Sequence, residues 1–176
     1  ELSADGASQS IAIIDTVTRS YGAAAGFDPQ TGNGVVSYLA FDPAVPPDSA
    51  PDGGVFWVQR HLGYVTVKNG AVLSRDYPVH RGDEAVCGNS FCDQSADTVV
   101  GLYPALAFDG NDAVIAYRDV HLGQFPSDYA KSDAEMVKGH TGAWTHAPII
   151  CGSDNPRFVE QGIGALNHIV VGKKGT

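Results

Sequence analysis

The chain repeats one pattern of residues, and this repeat limits the folds that are open to it. The segments "YGAAAGFDPQTGNGVVSY" at 21–38 and "YPALAFDGNDAVIAY" at 103–117 share a Tyr, alternating alanines, Phe-Asp, a Gly/Asn turn, two β-branched residues and a closing Tyr. Two short apolar runs joined by such a turn predict a β-hairpin. The sequence therefore predicts a tandem array of similar β-units.

Each unit extends beyond this hairpin. A long polar loop and another short strand follow, and then comes a strand led by Gly-Ala, in "NGAVLSRDYPV" and "TGAWTHAPII"; the earlier segment "DGASQSIAIID" fits the same slot. No window sustains the apolar spacing of a helix. We predict an all-β fold of tandem four-stranded antiparallel units, approximately at 5–68, 69–140 and, incomplete, 141–176. Such units are typical of a β-propeller, and the alternative fold is a β-sandwich.

The strand pair "YPALAFD" and "VIAYRD" resembles the blades of bacterial secreted β-propellers of the sialidase-like type. This resemblance implies a propeller-like fold over about residues 5–176. The Ser-x-Asp-x-Gly-x-Thr-Trp motif of sialidases does not occur in the sequence. The Arg triad and the Tyr-Glu nucleophile of that family also cannot be placed residue by residue. The resemblance thus implies a fold and no catalytic activity.

Charge and cysteine usage indicate where such a chain works. With 176 residues and a formal net charge of -9, it would repel nucleic acid and anionic lipid, and no apolar run is long enough to span a membrane. Cys87 and Cys92 enclose the short loop "GNSF", so we expect a disulfide there; a free or metal-binding pair is the alternative. Cys151 is left over. We expect a secreted, periplasmic or cell-surface protein.

Acidic residues in one turn and beyond the following strand provide oxygen ligands of the kind that Ca²⁺ binds. These candidate calcium ligands are Asp109, Asn111, Asp112 and Asp119. Their spacing is not that of an EF-hand loop. The alternative interpretation is that they are turn residues, because Asp and Asn bond to their own backbone and accept unusual dihedral angles.

A second candidate metal site lies on the Gly-Ala-led strand. Trp144 and His146 are two positions apart, so a strand would place them on the same face. This Trp-x-His pair resembles surface copper-binding proteins of methane-oxidising bacteria, which implies copper as a possible metal. The alternative is a packed Trp144 beside a solvated His146.

Motifs for nucleophilic catalysis, phosphate binding and zinc hydrolysis do not occur in the sequence. Acidic residues such as Glu135 could form a glycosidase-type pair, but sequence spacing alone does not identify one. We therefore expect a non-catalytic module that binds or assembles through its long loops. The alternatives are a glycan-acting hydrolase subunit and a surface metal-binding protein.

Two complete units and part of a third are too few to close a propeller. We expect a mature or trimmed chain whose β-structure is completed by a second polypeptide, either a cleaved downstream chain or another copy. That polypeptide would pair with an edge strand near 165–171, because a bare edge presents unpaired N–H and C=O groups. Lys173 and Lys174 could instead protect this edge by their charge.

Overall fold

The described part of the chain forms two four-stranded antiparallel sheets. The computed structural model describes residues 22–41, 60–79, 98–121, 132–150 and Ile169, and no helix occurs among them. The first sheet has the order β1-β2-β3-β4 and the second the order β5-β6-β7-β8. The strands are β1 (Ala23–Phe27), β2 (Gly34–Phe41), β3 (Arg60–Lys68), β4 (Ala71–Val79), β5 (Thr98–Asp109), β6 (Asp112–His121), β7 (Ser132–His140) and β8 (Ala143–Ile150). The predicted all-β class and four-stranded antiparallel units are confirmed, and neither described sheet closes on itself.

Turn residues fix the hairpins. Asn69 and Gly70 both have positive φ, 50° and 76°, which is the pattern of the type I′ turn that matches the twist of the flanking strands. Gly110 occupies the first central position of the β5–β6 turn with φ 63°, as in a type II′ turn. The longer β1–β2 connection is held by Asp28, which accepts hydrogen bonds from the backbone N–H of Gln30 and the hydroxyl of Thr31.

The sheets divide the chain differently from the units proposed from the sequence. The Gly-Ala-led strand β4 pairs with β3 across a two-residue turn, so it closes the first sheet and does not open the second. The third strand of the first sheet is Arg60–Lys68. The run "VFWVQ" that precedes it lies outside the described residues.

Alternation along the strands gives each sheet two different faces. The first sheet turns one face toward the second sheet, and we call it the tail face. Its core residues are Val35, Leu62, Tyr64 and Val79. The face of the second sheet that contacts the first sheet is called the head face. Its core residues are Ala113, Ile115, Tyr117 and Val137, with Leu106, Phe108 and Trp144 packed against them.

Strand register shows which residues of the two sheets are equivalent. Val36 pairs with Val65 in the first sheet, as Ile115 pairs with Val137 in the second. The closing tyrosines of the repeat, Tyr38 and Tyr117, follow two residues later on the same faces. Val36, Tyr38 and Val65 form a second core cluster, on the side of the first sheet that faces away from the second sheet. The head face of the first sheet is therefore its outer face.

The two sheets consequently stack head to tail, like successive copies along one direction. A sandwich of two sheets related by a two-fold axis would bury the same face of both sheets. Here the head face of one sheet covers the tail face of the other, so one head face and one tail face point away from this contact. Residues in the middle of those two faces are nevertheless buried, for example Val65 at 1% and Ala116 at 4% exposure. The central strands β2 and β6 bear apolar residues on both faces, for example Val35 with Val36 and Val114 with Ile115.

A carboxylate of β4 ties the sheets together near the turns. Oδ2 of Asp76 accepts hydrogen bonds from the backbone N–H of Gly142, at 2.8 Å, and from the indole N–H of Trp144, at 2.7 Å. Its Oδ1 accepts one from the backbone N–H of Tyr77. Trp144 also meets the ring of Tyr64 edge to face, with centroids 5.0 Å apart. The tie thus joins the outermost strands of both sheets through polar and aromatic contacts.

We predict that Asp76→Ala lowers the free energy of unfolding by about 2 to 4 kcal/mol, because it removes an ionised acceptor and leaves the half-buried indole N–H without it. Urea denaturation followed by tryptophan fluorescence measures this loss. Asp112→Ala is the matched control, since it removes an exposed carboxylate and should change stability by less than about 1 kcal/mol. Equal losses in the two variants would contradict the role given to Asp76.

Tyr64 should make stability depend on alkaline pH. Burial raises the pKa of Tyr64 to about 12, and the charges of Asp28 and Asp76 act in the same direction. The unfolded chain ionises a tyrosine near pH 10. The stability that comes from keeping this phenol neutral is therefore complete below about pH 10 and is lost as the pH rises to about 12, by roughly 2 to 3 kcal/mol.

The test compares denaturation of the wild type and Tyr64→Phe between about pH 9 and pH 12. The variant lacks this phenol, so its stability should fall less steeply than that of the wild type over the range. In Tyr64→Phe, phenolate absorbance should also show one fewer tyrosine that ionises with a raised pKa. Parallel stability curves for the two proteins would contradict the assignment.

Candidate functional site

The two ends of the sheets differ in their connections. The short turns 28–33, 69–70, 110–111 and 141–142 all lie at one end, which we call the turn end. The segments 42–59, 80–97 and 122–131 connect strands at the opposite end, which we call the loop end. Gly26 lies near Phe108 and Gly101 near Leu62, so the ends of the two sheets coincide. Long connections concentrated at one end of a rigid scaffold favour that end as the binding surface.

Strand β5 is irregular where it reaches the loop end. Its register with β6 shifts between Val100 and Leu102 and again between Leu102 and Ala105. Gly101 has φ 96°, and a Cβ placed there would lie 2.7 Å from Cα of Leu62, so only glycine fits. Bulges of this kind redirect side chains and are common beside functional sites.

Tyr103 is the strained residue of this bulge. Its φ is 49°, a value that bulky side chains rarely adopt, and Pro104 follows it. Such a conformation costs on the order of 1 to 3 kcal/mol, which the surrounding packing must offset. The Cα of Tyr103 lies 3.0 Å from the position that a Cβ of Gly22 would occupy, so β1 begins directly against it. Because backbone strain often accompanies functional sites, it makes the loop end of β5 a candidate site.

Arg118 adds a positive charge to the same end. Burial lowers the pKa of its guanidinium, and the nearby phenol of Tyr103 opposes that change. Its Nε is buried and has no hydrogen-bond partner among the described residues. An arginine stays protonated at neutral pH, so this corner holds a partly desolvated cation that could bind an anionic group of a ligand.

Register shows that this cation replaces an apolar residue. Arg118 pairs with Ala134, as Leu39 of the first sheet pairs with Leu62. Leu39 is almost fully buried, whereas Arg118 is only half-buried. The second sheet therefore carries a charge at a position that serves packing in the first.

A buried polar pair lies on the head face of the second sheet. The hydroxyl of Tyr117 donates a hydrogen bond of 2.5 Å to Oε2 of Glu135, the residue opposite it on β7. Asp119, two residues beyond Tyr117, is buried as well. Because Tyr117 and Glu135 are 0% and 1% exposed, a large substrate cannot reach them. The pair therefore holds β6 to β7 and is not an accessible acid pair of the glycosidase type.

The candidate calcium ligands are divided between the two ends. Asp109, Asn111 and Asp112 lie at the β5–β6 turn, whereas Asp119 lies about 23 Å away along β6, seven residues at the rise of a strand. Asp109 forms an ion pair with Lys138, and this bond raises the pKa of the lysine. The carboxylate of Asp112 lies 3.4 Å from Nδ1 of His140. Both turn carboxylates thus face basic side chains of β7, Lys138 and His140, as expected for turn residues in an exposed polar cluster.

Trp144 and His146 do lie on one strand, β8, two positions apart. The indole N–H of Trp144 is bonded to Asp76, so this side chain is part of the tie between the sheets. The described ranges contain no group of three or more His, Cys, Asp or Glu side chains placed to hold a metal ion. Binding of calcium or copper stays a prediction. Cys87, Cys92 and Cys151 lie outside the described residues.

Sequence reasoning did not single out Tyr103, Arg118 or Asp76. The dipeptide Tyr103-Pro104 inside a strand pattern is a signal for a bulge that the sequence does offer. Asp76 gives no such signal, because its partners are far away in the chain.

Comparisons with protein-family models, with curated proteins and with solved structures found no match. In the part of the chain that the structure describes, no helix is long and apolar enough to cross a membrane. The geometry of the two sheets is therefore the basis for assigning a function.

We predict that Arg118→Leu leaves the free energy of unfolding unchanged or raises it by up to about 1 kcal/mol. The substitution replaces a desolvated charge with leucine, which is the residue at the equivalent position 39 of the first sheet. Thermal and urea denaturation measure the effect. Arg75→Leu, which removes an exposed arginine of β4, is the control. A loss of about 3 kcal/mol or more would mean that Arg118 belongs to a structural ion pair and not to a binding site.

Proposed function

We propose that this chain is a non-catalytic binding and assembly module of the propeller type that acts outside the cytoplasm. The observation that supports it best is the head-to-tail stacking of the two sheets, because a propeller is a radial repetition of four-stranded sheets in which unlike faces of successive sheets meet. Two sheets are too few to close a propeller, so the proposal requires further sheets. A second polypeptide would provide those sheets, either a cleaved downstream chain or another copy.

We assign ligand recognition to the loop end. Three observations support this assignment: the long connections 42–59, 80–97 and 122–131, the strained Tyr103, and the partly desolvated Arg118. A ligand with a carboxylate or another anionic group suits this end, because a half-buried guanidinium binds such a group more strongly than an exposed one. The turn end offers mainly short turns and paired charges, which favour solubility over recognition.

Binding should be tested by ¹H–¹⁵N chemical shifts of the labelled chain against a panel of neutral and acidic oligosaccharides and of acidic peptides. We expect an acidic member to shift signals at the loop end, such as those of Leu102 and Arg118, and to leave the turn glycines Gly70 and Gly142 unchanged. Arg118→Leu should remove the shifts, and the control Arg75→Leu should retain them. Shifts confined to the turn end, or no shift with any acidic member, would contradict the assignment.

The non-catalytic part of the proposal has its own measurement. The chain should not release the chromophore from a panel of aryl glycosides and sialosides, because the hydrogen-bonded Tyr117 and Glu135 are closed to solvent. Turnover that disappears in Glu135→Gln, in a variant that keeps its fold by circular dichroism, would overturn this part and favour a hydrolase.

A further inference from the structure

Phe27 is the most exposed large apolar side chain described, at 75% of its surface. It pairs with Gly34 at the turn end of the first sheet, on the same face as Val36. It is therefore part of the outward head face, together with the half-buried Val67 and Val72. A phenylalanine in this position is expensive in water, by about 2 kcal/mol relative to burial.

The counterpart of Phe27 in the second sheet shows what this side chain packs against. Both residues occur in a Phe-Asp pair before the turn, and Phe108 pairs with Ala113 as Phe27 pairs with Gly34. Phe108 is packed against the core between the sheets. A Cβ placed on Gly26 would lie 3.5 Å from Cε2 of the Phe108 ring. The ring thus fits over a small residue of the facing tail face.

The tail face of the second sheet also has a small residue at the position equivalent to Gly26. Gly26 pairs with Val35, and Ala107 pairs with Val114 in the same register, so Ala107 is the counterpart of Gly26. Ala107 is only half-buried. This tail face points away from the first sheet, and its middle is buried within the chain, with Val114 and Ala116 at 7% and 4% exposure. Only the turn-end part around Ala107 is accessible to another molecule.

We propose that the head face of the first sheet docks on the tail face of the second sheet of another copy of this chain, with Phe27 over Ala107. The contact repeats the one that Phe108 makes with Gly26 within the chain. This inference rests on the assembly part of the proposed function and names its partner and its surface. Because the two docking faces differ, the contact is heterologous, and each copy can bind a neighbour on both sides.

Burial limits the contact to the turn end. Tyr38 and Ala40 of the same head face are already buried within the single chain, at 5% and 0% exposure. Docking would therefore bury further apolar surface only around Phe27, Val67 and Val72. A patch of this size is smaller than a standard interface, so we expect the association to be weak.

Sedimentation velocity over about 10 µM to 1 mM tests the proposal, since a weak association forms larger species only at high protein concentration. The wild type should form species larger than a dimer as its concentration rises. Phe27→Asp, which blocks the head face, and Ala107→Glu, which blocks the tail face, should each be monomeric. Their equimolar mixture should form a one-to-one dimer and nothing larger, because the intact tail face of one variant meets the intact head face of the other.

Leu73→Ser is the matched control, since Leu73 is also exposed, at 54%, but is not the counterpart of a residue buried between the sheets. It should assemble as the wild type does. Phe27→Ser should repeat the result of Phe27→Asp if the added charge disturbs the fold. A monomeric wild type over the whole range, assembly by Phe27→Asp, or no dimer in the mixture would overturn the proposal.

Failure here can be distinguished from failure of the proposed ligand site. Arg118→Leu should assemble like the wild type, because Arg118 lies at the loop end and the docking contact lies at the turn end. Phe27→Asp should still show the loop-end chemical shifts with an acidic ligand. Loss of assembly and of ligand shifts in both variants would contradict two separate surfaces.

Discussion

A sheet with two apolar faces cannot be stable alone, and this constraint organises the whole molecule. The central strands β2 and β6 carry apolar side chains on both faces, so each sheet must be covered twice. Each sheet covers one face of the other, through the core around Leu62, Tyr64 and Ile115. Each sheet gains about 25 cal/mol for every Å² of apolar surface that this contact removes from water. The other two faces are buried in their middle, at Val65 and Ala116, and are exposed at the turn end, where Phe27 is 75% exposed.

The parts of the fold that the sequence predicts are those governed by local chemistry. Asn69-Gly70 and Gly110 determine tight turns, and the turns determine register, so the hairpins and the four-strand units were accessible from the residues alone. The tie between Asp76 and Trp144 was not, because a hydrogen bond between distant residues leaves no periodic trace. The division of the candidate calcium ligands followed from the length of β6: seven residues of extended chain separate Asp112 from Asp119 by more than any single ion can span.

The two sheets share a backbone plan and differ at particular positions near the loop end. In the first sheet Gly63 lies opposite Tyr38, and a Cβ there would come within 3.0 Å of the tyrosine ring, so the ring covers the glycine. In the second sheet Glu135 occupies that position and accepts the hydrogen bond of Tyr117. Arg118 likewise replaces Leu39. Packing alone would favour the residues of the first sheet, so the polar residues of the second sheet are the ones that need an explanation beyond stability.

The proposed assembly surface and the proposed recognition surface lie at opposite ends of the sheets, so neither requires the other. The proposed docking places the large Phe27 over the small Ala107 and repeats a contact already present within the chain. The proposed recognition would use the strained Tyr103 and the desolvated Arg118, both of which lower the stability of the sheet that bears them. A single sheet has little stability to give up, since small folds retain only a modest excess of burial over chain entropy. Stacking further sheets onto the outer faces adds apolar burial without touching the loop end. Under this proposal, apolar burial gained at the turn end would offset the destabilisation caused by Tyr103 and Arg118 at the loop end.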